Sequence, residues 1–294
     1  MHLVTFVEAG IERIGVLDPG RGEVVDLALA APGLPRGMPG MIALGAAGIE
    51  AAQGAVAAGA ARLPLSSIHL RAPLPPVRNL FCVGKNYRDH VQELAAPAAT
   101  GRLREPLPEV PIFFTKATTS VIGPGAPIPA RRDPTASADY EGELAVVIGR
   151  GGRDIPRAAA LRHVYGYTIV NDVTSRRLQQ RHQQWFLGKS LDGFCPMGPA
   201  LVTADTIPEP AALRVRTHVN GELRQDGAVA QLIFDVPALI ETLSRYVTLV
   251  PGDILATGTP AGVGAGFVPP RYLQPGDRVA VTIEPIGSLE NPVA

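Results

Sequence analysis

Apolar residues along this chain fall in short runs bounded by Gly and Pro, a pattern that predicts strands more readily than helices. Leu3 to Val7, Arg13 to Leu17 and Glu23 to Leu27 are separated by Ala9-Gly10 and Pro19-Gly20, as in a meander. Leu80 to Val83, Pro111 to Thr115, Leu144 to Ile148, Tyr165 to Val170, Leu213 to Val219, Asp253 to Ala256 and Arg278 to Ile283 read the same way. Helical spacing is confined to a few stretches. Met41 to Ala61 is rich in Ala, with apolar residues at helical intervals, and predicts one helix despite its internal glycines. Pro156 to His163 places Pro in a first turn, and Asp235 to Tyr246 opens on a capping Asp followed by a first-turn Pro. Val173 to Gln184 predicts a polar helix in which Arg and Gln predominate.

Strands outnumber helices and do not alternate with them regularly, so the fold class is mainly β with some α, an α+β arrangement and not a doubly wound sheet. Pro64 to Pro76 carries four prolines and reads as a linker or edge segment. It sets a boundary near residue 74, with a small N-terminal α+β domain over 1–74 and a larger domain over 75–294. The polar stretch from Gln92 to Pro111, without period, predicts a mobile flap.

Composition then narrows the function classes. Gly and Pro number 32 and 29 in 294 residues, about a fifth of the chain against a usual share of about 12%, which favours short strands and shaped turns. Lys+Arg and Asp+Glu balance at 27 each, without the basic excess expected of a nucleic-acid binder. Cys82 and Cys195 are too few for a disulfide framework. No apolar run reaches the roughly 18 residues of a membrane span. The first residues lack the basic-then-apolar order of a signal peptide. The expectation is a cytoplasmic protein with neither a membrane nor a nucleic-acid partner.

Candidate chemistry begins with acids. Asp139-Tyr140-Glu141-Gly142-Glu143 runs into the apolar Leu144 to Ile148. On a strand, Glu141 and Glu143 point to one face, where two carboxylates repel unless a cation lies between them. All-oxygen ligation favours Mg²⁺, Mn²⁺ or Ca²⁺. The competing reading puts Glu143 in solvent and Glu141 against an arginine. Asp172 weighs toward a site, because it ends the apolar strand from Tyr165 to Val170; it would serve equally as a cap for a helix opening at Val173.

His90 and Glu93, three residues apart, meet across one turn of helix, and a carboxylate beside His suits a general base acting through water. The competing reading is an ordinary charged surface helix. Arg176 and Gln179 share a helix face and, with Lys189 among small neighbours, could contact an anionic substrate; Arg177, Arg181 and His182 read as solvated. The glycine-rich string from Thr257 to Gly264 is neither a P-loop nor a dinucleotide fingerprint. Its backbone N–H groups and hydroxyls, Gly258 and Thr259 among them, are suited to face an anion such as a carboxylate.

Six strings resemble the fumarylacetoacetate hydrolase family in the family's order. They are Phe-Cys-Val-Gly-Lys-Asn-Tyr-Arg-Asp-His (81–90), Asp-Tyr-Glu-Gly-Glu-Leu-Ala-Val-Val-Ile-Gly (139–149), Gly-Tyr-Thr-Ile-Val-Asn-Asp-Val-Thr-Ser-Arg (166–176), Gly-Lys-Ser-Leu-Asp-Gly-Phe-Cys-Pro-Met-Gly-Pro (188–199), Gly-Asp-Ile-Leu-Ala-Thr-Gly-Thr-Pro-Ala-Gly-Val-Gly (252–264) and Ile-Gly-Ser-Leu-Glu-Asn-Pro-Val (286–293). The likeness covers residues from about 75 to 294 and departs from the family at Arg177, where Asp is common, and at Lys116-Ala117, where Lys-Pro is common.

The resemblance implies a mixed β-sandwich roll, a homodimer, and one Mg²⁺ or Mn²⁺ per subunit held by Glu141, Glu143 and Asp172. It implies that His90 and Glu93 activate water from a lid helix, and that Arg176, Gln179, Lys189 and Thr259 hold a small 2-oxo acid substrate. The expected reaction is hydrolysis of a C–C bond in an acylpyruvate-like 2,4-dioxo acid through a metal-stabilised enolate, of the kind met in aromatic compound catabolism. Isomerase or tautomerase action on hydroxymuconate-type diacids, and oxaloacetate decarboxylation, are the alternatives on the same site. A catalytically silent metabolite-binding member is the reading from another class. Fold alone does not choose among these.

Overall fold

The computed structural model describes residues 1–95 and 106–294, so the expected flap between Gln92 and Pro111 lies in large part outside the described residues. The principal strands are β1 (His2–Glu8), β2 (Ile11–Asp18), β3 (Glu23–Asp26), β4 (Arg62–Pro64), β5 (Leu80–Gly84), β6 (Ile112–Lys116), β7 (Gly142–Ile148), β8 (Val164–Asn171), β9 (Cys195–Thr203), β10 (Arg214–Val219), β11 (Glu222–Ala228), β12 (Ile254–Ala256), β13 (Arg278–Ile283) and β14 (Gly287–Pro292). Ten of them form the path of one large mixed sheet in the order β4-β3-β2-β1-β9-β8-β7-β12-β5-β6, and β11-β10-β13-β14 form a second, antiparallel sheet. Mainly β with some α, as the runs predict, is the observed class.

The apolar runs become strands because the large sheet is covered on both faces. Along β7, Leu144, Val146 and Ile148 belong to one core, shared with Val215, Val281 and Leu289 of the second sheet. Ala145 and Val147 belong to another, shared with Met38, Met41, Ile42 and Ala52 of the N-terminal helices. A strand buried on both sides loses its polar alternation, which is why β7 and β8 read as continuous apolar runs. Each buried Leu, Val or Ile here contributes roughly 1.5–3 kcal/mol of transfer free energy. The second sheet presses close over the start of β7: a Cβ on Gly142 would lie 2.3 Å from Thr217 Oγ1 and 2.8 Å from Val281 Cγ1.

Strand β1 pairs with β9, so the N-terminal strands continue the large sheet. The single helix expected over Met41 to Ala61 is two, α1 (Met38–Leu44) and α2 (Ala46–Ala57). Gly45 divides them at φ +56°, a conformation that ends α-helical hydrogen bonding. The polar helix expected from Val173 starts later, because Thr174 and Ser175 first pair with Ala138 and Asp139. Further helices are α3 (Arg88–Ala95), α4 (Arg176–Arg181), α5 (Phe186–Lys189) and α6 (Val236–Tyr246), the last capped by Asp235 onto Ala238 as its sequence predicts. Among the described residues no single helix is long and apolar enough to cross a membrane.

Candidate active site

The antiparallel pairing of β7 with β8 sets Gly142 opposite Asn171 and Glu143 opposite Val170, so the acidic end of one strand meets the acidic tip of the other. Asn171 Oδ1 accepts from Glu141 N at 3.0 Å, and Asp172 N donates to Glu141 O at 2.8 Å. These bonds fix the backbone beneath three carboxylates. Carboxylate oxygens of Glu141, Glu143 and Asp172 all lie within 4.8 Å of one another, and all three residues are buried. Asp172 does not cap α4; the cap position belongs to Ser175.

Cations surround this cluster unevenly. Lys189 Nζ lies 2.7 Å from Glu141 Oε2 and 2.7 Å from Asp172 Oδ2. Arg176 Nη1 is 2.6 Å from Glu141 Oε1, so the arginine partner weighed for Glu141 exists, inside the cluster and not instead of it. Lys116 Nζ is 2.7 Å from Asp172 Oδ1 and donates to the carbonyls of Val173 and Lys189. Glu143 makes no ion pair among the described residues; its Oε2 accepts from Gly258 N at 2.7 Å.

The titration of the acids follows from that asymmetry. Burial opposes ionisation of Glu141, but Lys189 and Arg176 overcome it and bring its pKa down to about 2. Burial, then the charges of Asp172 and Glu141, push Glu143 well above the ordinary carboxylate range. An all-oxygen set with one acid short of positive charge fits a hard divalent cation, which would relieve the repulsion that raises Glu143.

His90 is buried on α3 and shares one small cavity of ≈ 60 Å³ with Glu141, Glu143, Arg176, Gln179, Lys189 and Thr259. Glu93 Oε2 lies 3.5 Å from His90 Nδ1, so the expected pair is brought together, though beyond hydrogen-bond length. Arg176 Nη2 and His90 Nδ1 are buried without a hydrogen-bond partner among the described residues. Phe114 and Trp185, packed edge to face at 5.3 Å, form the apolar wall, with Lys85 beside them. Gly84 is needed there, because a Cβ would come within 2.1 Å of Trp185 Cζ3. Gly188 likewise lets α5 approach α4, since its Cβ would lie 2.5 Å from Gln179 N.

The glycine-rich string does face carboxylates, and they are the protein's own. Gly258 donates to Glu143, Gly262 to both oxygens of Glu93 at 2.9 and 3.1 Å, and Gly264 and Ala265 to Asp139 at 2.7 and 2.9 Å. Thr259 lines the cavity while its hydroxyl donates to Gly142 O at 2.9 Å. Arg177 is exposed and donates to Thr135 O, in keeping with the solvated reading.

Two residues of the site escaped the sequence reading as participants. Lys116 ends the apolar run of β6 as a fully buried lysine, and Asp139 is a fully buried acid that accepts from Arg176 Nε at 2.8 Å. For Lys116, a charge ending an apolar run hints at a paired group, but its partners, like those of Asp139, are brought together only by the fold.

A family profile described as Fumarylacetoacetate (FAA) hydrolase C-terminal matches residues 79–294. The chain belongs to the fumarylacetoacetate hydrolase family. It is 53% identical over 230 residues, 78% of this chain and 74% of the relative, to oxaloacetate tautomerase YisK of Bacillus subtilis. Over its whole length it is similar to a solved fumarylacetoacetate hydrolase from Exiguobacterium antarcticum (TM-score 0.84, 44% identity, 99% of that chain). It is also similar to maleylpyruvate hydrolase from Sphingobium sp. SYK-6, solved with manganese(II) and pyruvate (TM-score 0.77, 31% identity, 100% of this chain and 99% of that one). Like these family members it is an enzyme, and its acid cluster is of a kind that can hold a divalent metal.

Proposed function

We propose that the enzyme moves a proton next to the keto group of a short 2-oxo diacid, interconverting keto and enol forms, with oxaloacetate as the simplest substrate. The observation that carries this reading is the ≈ 60 Å³ cavity in which buried His90 faces the acid cluster beside Arg176. The similarity to an oxaloacetate tautomerase supports it.

In this reading Glu141, Glu143 and Asp172 would hold one Mg²⁺ or Mn²⁺, which would supply positive charge to polarise a 2-oxo acid. His90 takes the proton from the carbon between the keto and distal carboxyl groups and returns it to the enolate oxygen, so nothing is consumed or released. Glu93 steadies the imidazolium formed between these steps. Arg176, through its unpartnered Nη2, and Gln179 bind substrate carboxylate, while Lys189 offsets negative charge. Thr259 and Gly258 shape the substrate wall. A cytoplasmic homodimer divided near residue 74 completes the proposal.

Hydrolysis of an acylpyruvate is the second reading, favoured by the likeness to maleylpyruvate hydrolase. There His90 would take a proton from water, whose oxygen adds to the distal carbonyl, and the broken C–C bond's electrons would leave as pyruvate enolate. Proton NMR in D₂O with Mg²⁺ or Mn²⁺ separates the readings. The first predicts accelerated keto–enol exchange and deuterium entry into oxaloacetate, without pyruvate release by decarboxylation. Efficient acylpyruvate cleavage with no effect on oxaloacetate would replace it with the second.

A further inference from the structure

We propose that Asp139 is a positioning residue that ties the helix bearing the base to the acid cluster; the inference rests on the reading of His90 with Glu93 as that base. Asp139 is fully buried, at the short pairing of Ala138 and Asp139 with Thr174 and Ser175. Its carboxylate is filled on both oxygens. Oδ1 accepts from Tyr140 N at 2.9 Å and Gly264 N at 2.7 Å. Oδ2 accepts from Ala265 N at 2.9 Å and Arg176 Nε at 2.8 Å. A buried carboxylate is costly to desolvate, and four donors offset that cost.

What those donors connect is informative. Arg176 reaches onward through Nη1 to Glu141, 2.6 Å away. The turn over 262–266 reaches onward in the other direction, because Gly262 N holds both oxygens of Glu93. The turn is shaped for both contacts: a Cβ on Gly264 would lie 2.6 Å from Asp139 Oδ1, and one on Gly266 would lie 2.2 Å from Glu93 Oε1. Glu141, Arg176, Asp139, the turn and Glu93 therefore form one unbroken line of hydrogen bonds and ion pairs. Its two ends are the acid that would hold the ion and the acid that flanks His90. Their separation fixes where the base stands relative to bound substrate, and an error of about 1 Å in that separation costs roughly 100-fold in rate.

The test uses Asp139→Asn and Ala265→Pro in the full chain loaded with Mn²⁺, with His90→Ala as reference. Ala265→Pro removes a single donor to Asp139 and leaves the carboxylate in place, so it carries the test if Asp139→Asn does not fold. Three readouts are taken: amide exchange over 88–95 and 262–266, Mn²⁺ affinity by electron paramagnetic resonance, and kcat and KM for oxaloacetate. The proposal expects faster exchange in both segments together and kcat lowered by roughly 100-fold for Asp139→Asn and by a smaller factor for Ala265→Pro. KM and Mn²⁺ affinity should stay within about threefold. Unchanged protection of 88–95 overturns it, as does normal kcat in the Asp139 and Ala265 variants when His90→Ala is inactive. If His90→Ala keeps full activity while the two segments still loosen together, the base assignment falls and the tie through Asp139 stands.

Discussion

Lys189 Nζ stands 2.7 Å from Glu141 Oε2, with the lysine almost wholly buried, and the same ammonium is 2.7 Å from Asp172. A single ammonium thus holds two acids of the cluster together.

Replacing it exposes that dependence. Lys189→Met leaves two buried carboxylates short of positive charge, which in chelator-treated protein costs about 3–5 kcal/mol. Thermal unfolding should show a large drop in Tm without metal and a larger Mn²⁺-induced recovery than in the parent, because a dication then replaces the missing charge. Turnover should fall about 100-fold even when loaded. Equal metal-induced Tm shifts in the two proteins would separate Lys189 from the ion site.

The departure at Ala117 has a local consequence. Ala117 N donates to Ser190 Oγ at 3.0 Å, a bond that proline cannot make. Its backbone, φ −62° and ψ 147°, already suits proline. Ala117→Pro exchanges a hydrogen bond of about 0.5–1.5 kcal/mol for a gain in unfolded-chain rigidity of about 0.4–1 kcal/mol. Denaturant titration should find stability changed by less than about 1 kcal/mol; a loss of several kcal/mol would mean that Ser190 is held by this bond alone.

Two buried phenols contribute to the alkaline limb of stability, beside Tyr87, Tyr140, Cys82 and Cys195, which burial also raises. Burial pushes Tyr165 and Tyr167 up to about 12, above the ordinary phenol value near 10. Between these values the unfolded chain has lost protons that the folded chain keeps, so the stability contributed by these two phenols is full below pH ~10 and falls as pH rises toward ~12. Tyr165→Phe should flatten part of that slope in urea titrations at stepped pH. An unchanged slope would mean that other groups set the alkaline limb.

The strands most legible in the sequence are those buried on both faces. Leu144 to Ile148 and Tyr165 to Val170 announce themselves because both faces are buried and their runs are almost wholly apolar. Strand β9 was not legible, because Cys195-Pro196-Met197-Gly198-Pro199 carries no continuous apolar run; Val121 and Ile122 pair with its start, and β8 and β1 hold the rest extended. Strands β11 and β14 are polar outer strands of the second sheet, without an apolar run to mark them. In the site, the three acids and the His90–Glu93 spacing could be read from chain order, because each motif is local. The roles of Asp139 and Lys116 could not, since they depend on partners brought from Arg176, Gly264, Val173 and Lys189 by the fold.

The most direct measurement is Mn²⁺ titration of the purified protein and its Glu143→Ala variant by electron paramagnetic resonance. Glu143 is the acid of the three-carboxylate cluster without an ion-pair partner among the described residues, and burial with its acidic neighbours raises its pKa. The account predicts one tightly bound Mn²⁺ per parent chain and affinity weakened by about 100-fold or more in the variant. Equal stoichiometry and affinity in the two proteins would contradict it.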